Sequence, residues 1–136
     1  MTTSPTFVSV PKNPTVSFVN ADGTTFKTLM SAGTNGSRID TVFASNTDTS
    51  NAYVLQLAIQ KSGVDYVIGE VNVPLGAGTN GSTKSVAVLN TTDLPGLAYV
   101  ETGSLYLENG ATLRARVKTA AAGGNSVQLV GIGGDY

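Results

Sequence analysis

The side chains that could do acid–base chemistry in this sequence are nine carboxylates, because histidine and cysteine are both absent. They are Asp22, Asp40, Asp48, Asp65, Glu70, Asp93, Glu101, Glu108 and Asp135. Most lie in or beside turn residues, and no pattern gathers two of them into a pocket as acid–base catalysis requires. Without histidine, a Ser-His-Asp triad cannot be built and the most common transition-metal ligand is missing. We therefore expect no enzyme, no bound metal and no cofactor.

A hexapeptide, AGTNGS, occurs at residues 32–37 and again at 77–82. Phosphate-binding glycine loops open a helix and carry Gly-Lys-Ser/Thr, whereas both copies here lead into β-patterned runs. Neither copy contains a carboxylate, so a calcium site is not expected. Asn-Gly suits a tight turn with positive φ, as in a hairpin. We predict that both copies form turns between strands, and two copies are too few to indicate a repeat architecture.

Arg114, Arg116 and Lys118 alternate with apolar residues near the end of the chain. Alternation in a strand places the three basic side chains on one face and the apolar ones on the other. Two interpretations remain open. The basic face is either a solvated outer surface that protects a sheet edge, or a patch that meets carboxylates of a partner protein. These three residues are candidate partner-binding residues.

Both ends of the chain carry apolar residues that need a surface to pack on. Three prolines within residues 1–14 predict an extended segment, which also contains Phe7, Val8 and Val10. This segment is either an edge strand of its own domain or an arm that lies on a neighbouring subunit. Tyr136 follows a glycine-rich stretch and packs either on its own chain or on a neighbour. Phe7, Val8, Val10 and Tyr136 complete the candidate partner-binding residues.

Apolar residues alternate with polar ones along most of the chain. In AYVLQLAIQK (52–61), Tyr53, Leu55, Leu57 and Ile59 share one face. Ser62-Gly63 separates this run from DYVIGEVNVP (65–74), which predicts a β-hairpin with Val67, Gly69, Val71 and Val73 on one side. Further strands are predicted at 15–20, 25–30, 37–45, 85–89, 105–108, 112–118 and 126–132, the last ending in flexible glycines. The pattern predicts an all-β antiparallel sandwich, jelly-roll-like, over residues 15–136, with an extended N-terminal arm over 1–14.

Composition limits the partners of this chain of 136 residues. The net charge is −1, without the basic excess typical of nucleic-acid binders. Only 12% of the residues are charged, about half the usual share for soluble domains. This suits a surface partly covered in an assembly, and it also suits an extracellular β-protein. The first residues lack a signal-peptide pattern and no run is long enough to span a membrane, so we expect synthesis in a cytoplasm.

The segment over residues 30–118 resembles small virion proteins of tailed bacteriophages. The matching pieces are Gly36-Ser37, Asn46-Thr47-Asp48-Thr49, Gly63 with Tyr66 and Gly69, Pro74 with Gly76 and Gly78, Leu94-Pro95, and Leu105 through Leu113. These pieces are turn and strand elements, so the resemblance supplies no catalytic residues.

What the resemblance implies is a β-sandwich structural component, often a decoration or cement protein of the capsid. On this basis we expect a homotrimer on the capsid surface that binds the major capsid protein and stabilises the head. Some related sandwiches lie in tails, so a tail or fibre position stays open. A module that binds carbohydrate or a host surface is a further alternative, with the tyrosines of the chain as its platform.

Overall fold

The computed structural model describes residues 8–100 and 103–136, and Phe7 lies outside the described residues. The described chain is almost entirely strand and turn. Its strands are β1 (Val10–Lys12), β2 (Thr15–Val19), β3 (Lys27–Ser31), β4 (Ser37–Asn46), β5 (Tyr53–Lys61), β6 (Val64–Val73), β7 (Val86–Ala87), β8 (Leu105–Leu107), β9 (Thr112–Val117) and β10 (Ser126–Asp135), with 3₁₀ turns at Asn20–Asp22 and Pro95–Tyr99. Within these ranges no helix is long and apolar enough to cross a bilayer.

The strands form two antiparallel sheets that pack on each other. In sheet A, β10 lies between β4 and the pair β1 and β2, and β4 also pairs with β7 and β8. Sheet B has the order β3-β9-β5-β6. β1 and β2 count as one interrupted strand, and so do β7 and β8, which leaves eight strands. The first pairs with the eighth, the second with the seventh, the third with the sixth and the fourth with the fifth. This nested pairing is the jelly roll, so the predicted fold class is confirmed.

The core lies between the sheets because alternate residues of each long strand point inward. Phe18, Ile39, Leu57, Leu113 and Leu129 are among the fully buried side chains, and they come from five different strands. They belong to one continuous apolar cluster. Burial of a side chain of this size stabilises the folded state by about 1.5–3 kcal/mol. The core thus fixes which face of each strand is left for other contacts.

The predicted hairpin joins β5 and β6 through Ser62 and Gly63. Both residues have positive φ, 51° and 78°, as a two-residue type I′ turn requires. Further along, the register shifts by one residue, so that Leu57 faces Gly69 while Ala58 faces Val67. This bulge interrupts the alternation of β6. The prediction that Val67 shares the face of the later valines is therefore wrong, and Val67 is exposed.

Both hexapeptides form turns, as predicted, but neither is a hairpin turn. The first connects β3 of sheet B to β4 of sheet A, and the Gly36 N–H donates to the Gly33 carbonyl at 3.0 Å. In the second, the Asn80 side chain accepts from the Thr83 N–H at 2.7 Å. Among the described residues other than glycine, only Ser62 has positive φ. The asparagines of both copies therefore keep ordinary backbone angles, and glycine alone supplies the left-handed position.

The glycine-rich end of the chain is part of β10, which continues to Asp135 instead of ending at Ile132. β1 pairs with this end, so that Val10 faces Asp135. A Cβ at Gly134 would overlap the Val8 side chain and the Val10 carbonyl, so glycine is what allows the N-terminal segment to lie there. The described part of that segment is thus an edge strand on its own chain.

Candidate interaction surfaces

The basic row of β9 lies in the middle of sheet B, between β3 and β5. The interpretation that these charges protect a sheet edge is therefore wrong. Arg114 is held within its own sheet: its Nε lies 3.2 Å from Asp65 Oδ1, and its Nη2 donates to the Phe26 carbonyl at 3.0 Å. The Nε–Oδ1 contact is an ion pair without the alignment of a hydrogen bond.

The other two basic side chains are also engaged by neighbours on the same face. Lys118 Nζ lies 2.8 Å from Glu70 Oε2, and this ammonium group is the main cause that lowers the pKa of Glu70. Gln56 donates to Glu70 and accepts from Arg116 Nε, both at 2.8 Å. The Arg116 guanidinium also lies 4.9 Å from the centre of the Phe26 ring, a cation–π distance. Carboxylates of the same sheet thus neutralise two of the three basic charges.

Among the described residues the most buried carboxylate is Asp48, in the turn between β4 and β5, with 2% of its surface exposed. Its two oxygens accept four hydrogen bonds: from the backbone N–H groups of Ser50 and Asn51, from the Asn51 side chain, and from the Tyr53 hydroxyl at 2.6 Å. These bonds, with that from Tyr53 the largest contribution, lower the pKa of Asp48 to about 2. The Tyr53 hydroxyl in turn accepts from the Ala122 N–H at 2.9 Å.

This arrangement joins several loops and leaves no carboxylate oxygen available for a reacting group. The Asp48 carbonyl accepts from the Gly76 N–H at 2.8 Å. The Asn46 side chain donates to the carbonyls of Asn51 and Pro74. Over residues 8–100 and 103–136, no three acidic side chains are grouped so that they could hold a metal ion. We call Asp48 with Asn46, Asn51 and Tyr53 the Asp48 cluster. It connects the loops at one end of the sandwich.

A first exposed apolar surface lies on β6, at the edge of sheet B. Among the described strands β6 pairs only with β5, and Val64, Tyr66, Val67 and Ile68 are all exposed along it. A small cavity of about 190 Å³ adjoins it, lined by Ile68, Leu94, Gly96, Leu97 and Leu105. A long apolar edge strand with free backbone groups on one side can accept a further strand from another chain.

A second exposed apolar surface is the outer face of sheet A. Thr15, Val130, Phe43 and Ala87 lie side by side across four strands and are all exposed. Ile132, also exposed, lies next along β10. The neighbouring outward positions on β2, β10 and β4 are serine, threonine and glutamine, so the middle of this face carries no charge.

The structure distributes the sequence-predicted partner-binding residues over separate places. Val10 lies in the edge strand β1 of sheet A, Val8 lies against Gly134 of β10, and the basic row lies on the outer face of sheet B. The Tyr136 N–H donates to the Gly36 carbonyl at 3.2 Å, so this residue is attached to its own chain. The β6 edge and the outer face of sheet A were not predicted as surfaces. The sequence carries a signal for each surface. Apolar residues lie on both faces of VDYVI (64–68) and at alternate positions of VQLVGI (127–132).

Comparison with known proteins finds a likeness to a solved structure. No protein-family model matches the chain, and no curated protein matches it. The Drosophila NLP-core, whose crystal structure is described as giving insight into pentamer formation and histone binding, superposes with a TM-score of 0.43 at 12% sequence identity. The superposition covers 90% of this chain and 94% of that chain.

Proposed function

We propose that the protein is a structural virion component of a tailed bacteriophage, a decoration or cement protein that binds the major capsid protein and stabilises the head. In this proposal it acts by contact and not by catalysis, as a homotrimer, and is synthesised in the host cytoplasm. The observation that carries the proposal is the exposed apolar edge strand β6 with its adjoining cavity. The resemblance of residues 30–118 to phage virion proteins supplies the identity of the partner.

The β6 edge suits a docking surface for a partner chain. A strand added to β6 would pair with the N–H and carbonyl groups that face no other described strand, while Val64, Tyr66 and Val67 would lose exposed apolar area. The cavity beside Ile68 could accept one apolar side chain of that strand. A specific interface buries about 1,200–2,000 Å² in total, and contacts repeated around a shell add through multivalency.

The sequence-predicted contact residues have a place in this proposal where they are exposed. Val10, on the outer edge strand β1, and Lys118, at the end of the β9 row, have side chains open to solvent. The division into an arm over residues 1–14 and a sandwich over 15–136 likewise belongs to the proposal. In it, the arm contributes contacts to a neighbour in addition to the pairing of β1 on its own sheet.

The decisive experiment compares phage particles assembled with and without this chain. We expect particles that lack it to lose resistance to heat and to osmotic shock, and to regain both when purified protein is added. Tyr66→Lys should abolish the recovery by placing a charge in the apolar edge, while Thr28→Lys on the exposed opposite edge strand of sheet B should preserve it. Full resistance of particles that lack the chain would contradict the cement role.

A tail or fibre position is the first alternative, and labelling the protein on intact particles distinguishes it from a head position. The second alternative is glycan binding, favoured by Tyr99, whose surface is 93% exposed, and by the exposed Tyr66. Aromatic rings of this kind can stack on sugars. Specific hits on a glycan array that disappear in Tyr66→Ala or Tyr99→Ala would support that function over the capsid role.

A further inference from the structure

The outer face of sheet A has the properties of a surface that binds another copy of itself. We propose that two copies of this chain associate face to face through this sheet, around a two-fold axis. The central row of Thr15, Val130, Phe43 and Ala87 lies at the middle of the contact, with Ile132 beside it. This inference concerns the purified protein alone: the two-fold contact is separate from the three-fold contacts of the homotrimer proposed for the capsid, and it does not depend on capsid binding.

The charge distribution favours a second copy as the occupant. A two-fold contact brings each side chain near its own counterpart, so a charged face repels itself whereas a neutral one does not. The central row is uncharged. The charges at one end of the face are already compensated within the chain, where Arg38 Nε lies 2.9 Å from Asp40 and Lys12 Nζ lies 2.6 Å from Asp135.

The outer face of sheet B does not have these properties. It carries the ion pairs of Arg114 with Asp65 and of Lys118 with Glu70. These pairs and Arg116 follow the central strand β9, so a second copy would remove water from charged groups in the middle of the contact, a cost that often exceeds the gain. On sheet A the two ion pairs lie at one end of the face. Of the two sheet faces, that of sheet A is therefore the one suited to self-association.

The area of the face is sufficient for a stable contact. The six strands of sheet A together have 33 residues. At about 3.4 Å along the strand and about 4.8 Å between strands, each residue covers about 16 Å². The face thus offers about 540 Å² on each copy and about 1,080 Å² in total, above the roughly 1,000 Å² that a specific interface should exceed. Two twisted sheets can pack at the usual angle of about 30°.

Sedimentation velocity of the purified full chain between about 1 and 200 μM tests the proposal. We expect a concentration-dependent dimer whose dissociation constant rises at least tenfold in Val130→Glu, because two carboxylates then meet near the axis. Phe43→Ser, which removes apolar area without adding charge, should also weaken it. Val54→Glu is the matched control, since Val54 is 36% exposed on the outer face of sheet B and Val130 is 42% exposed.

Circular dichroism and thermal unfolding establish whether each variant is folded. If Val130→Glu does not fold, Phe43→Ser is the variant that tests the proposal. A wild-type protein that stays monomeric up to 200 μM would overturn the proposal. The proposal would also be overturned if Val54→Glu weakened the dimer as much as Val130→Glu does, or if neither sheet A variant weakened it. A trimer without a dimer would also contradict it, and would support the three-fold assembly expected from the resemblance. Loss of self-association with intact capsid binding would separate this inference from the proposed function.

Discussion

At the scale of single residues, Asp48 is a carboxylate that is tied into the fold by its hydrogen bonds. Its four hydrogen bonds stabilise the ionised form, which is why its pKa falls to about 2. The folded state therefore binds a proton at Asp48 less readily than the unfolded chain, whose value is near 3.8. Because proton binding is linked to folding, the stability that ionised Asp48 contributes is fully present above about pH 4 and is lost as the pH falls towards 2.

Asp48→Asn should remove this pH-dependent stability. The amide keeps the size of the side chain but brings its own N–H groups against the donors of Asn51 and Tyr53. We expect a lower thermal midpoint at pH 7, and a difference from wild type that shrinks as the pH falls from 4 to 2. Thermal unfolding at a series of pH values measures it.

The surface carboxylate Asp93 provides the control for that measurement. Asp93→Asn should leave the midpoint at pH 7 almost unchanged, because Asp93 accepts an exposed hydrogen bond from Asn90 and joins no buried cluster. A constant difference between Asp48→Asn and wild type from pH 7 to pH 2 would show that linkage through this carboxylate is absent.

Tyr53→Phe tests the same cluster from its other side. The hydroxyl donates to Asp48 and accepts from the Ala122 N–H, so its removal takes one of four hydrogen bonds from Asp48 and leaves the half-buried Ala122 N–H without this acceptor. We expect a loss of about 1–3 kcal/mol in the free energy of unfolding, measured by urea denaturation at pH 7. A loss below about 0.5 kcal/mol would mean that water or another group replaces the hydroxyl without cost.

Ser62 has a backbone conformation that its side chain does not favour. It has φ of 51° at the first position of the β5–β6 turn, where asparagine or glycine is favoured. Ser62→Asn should raise the free energy of unfolding, with an unchanged denaturant m-value, because asparagine adopts positive φ more readily than serine. Gly63→Ala, at φ 78°, should lower it in the same assay. A stabilised Gly63→Ala protein would contradict the assigned turn.

At the scale of elements, β10 depends on glycine at the point where its register shifts against β4. A Cβ at Gly133 would overlap the Arg38 carbonyl oxygen and lie 2.8 Å from the Ile39 Cα. Both neighbours are backbone atoms of a central strand, which cannot move as a flexible side chain can. The glycines at this end of the chain are thus a requirement of strand pairing and not a sign of flexibility.

Gly133→Ala should therefore lower the free energy of unfolding by about 1–3 kcal/mol, the usual cost of forcing extra volume into a packed region. Gly123→Ala is the matched control, because a Cβ there meets no atom within 4 Å. We expect the control to lie within about 0.5 kcal/mol of wild type. Equal effects in urea denaturation would mean that the strand register adapts to the new side chain.

The elements were largely predictable because their signals are local. Alternation in AYVLQLAIQK and the Ser62-Gly63 turn define β5 and its hairpin, and both are confirmed. The exposure of Val67 was not predictable, since a bulge depends on what the partner strand and the Leu94 loop allow. Position within a sheet was equally inaccessible: nothing in the spacing of Arg114 and Arg116 tells a central strand from an edge.

The candidate surfaces show the same limit. The Asp48 cluster joins residues from 46 to 122 along the chain, and the sequence marks Asp48 only as a turn residue. The outer face of sheet A exists because Val130 and Phe43, 87 positions apart, are register partners. Such juxtapositions follow from long-range strand pairing, which a reading of local periodicity does not supply.

At the scale of the whole molecule, the nested pairing makes β10 indispensable and β1 dispensable. A chain that ends at Asn125 loses the strand between β2 and β4, together with buried Val127 and Leu129. We expect it to be unfolded by circular dichroism and rapidly degraded by proteases. A chain that begins at Asn13 loses the exposed three-residue β1 and should stay folded. Folding of the first chain would contradict the central role of β10.

The position of β10 also determines when this protein can be completed during its synthesis. Sheet A cannot close until Ser126–Asp135 has left the ribosome, although its other strands emerge much earlier. Until then β2 and β4 lack their common neighbour and expose edges that can pair with other nascent chains. Cells that make this protein at high rates are therefore expected to need chaperones that keep growing polypeptides apart.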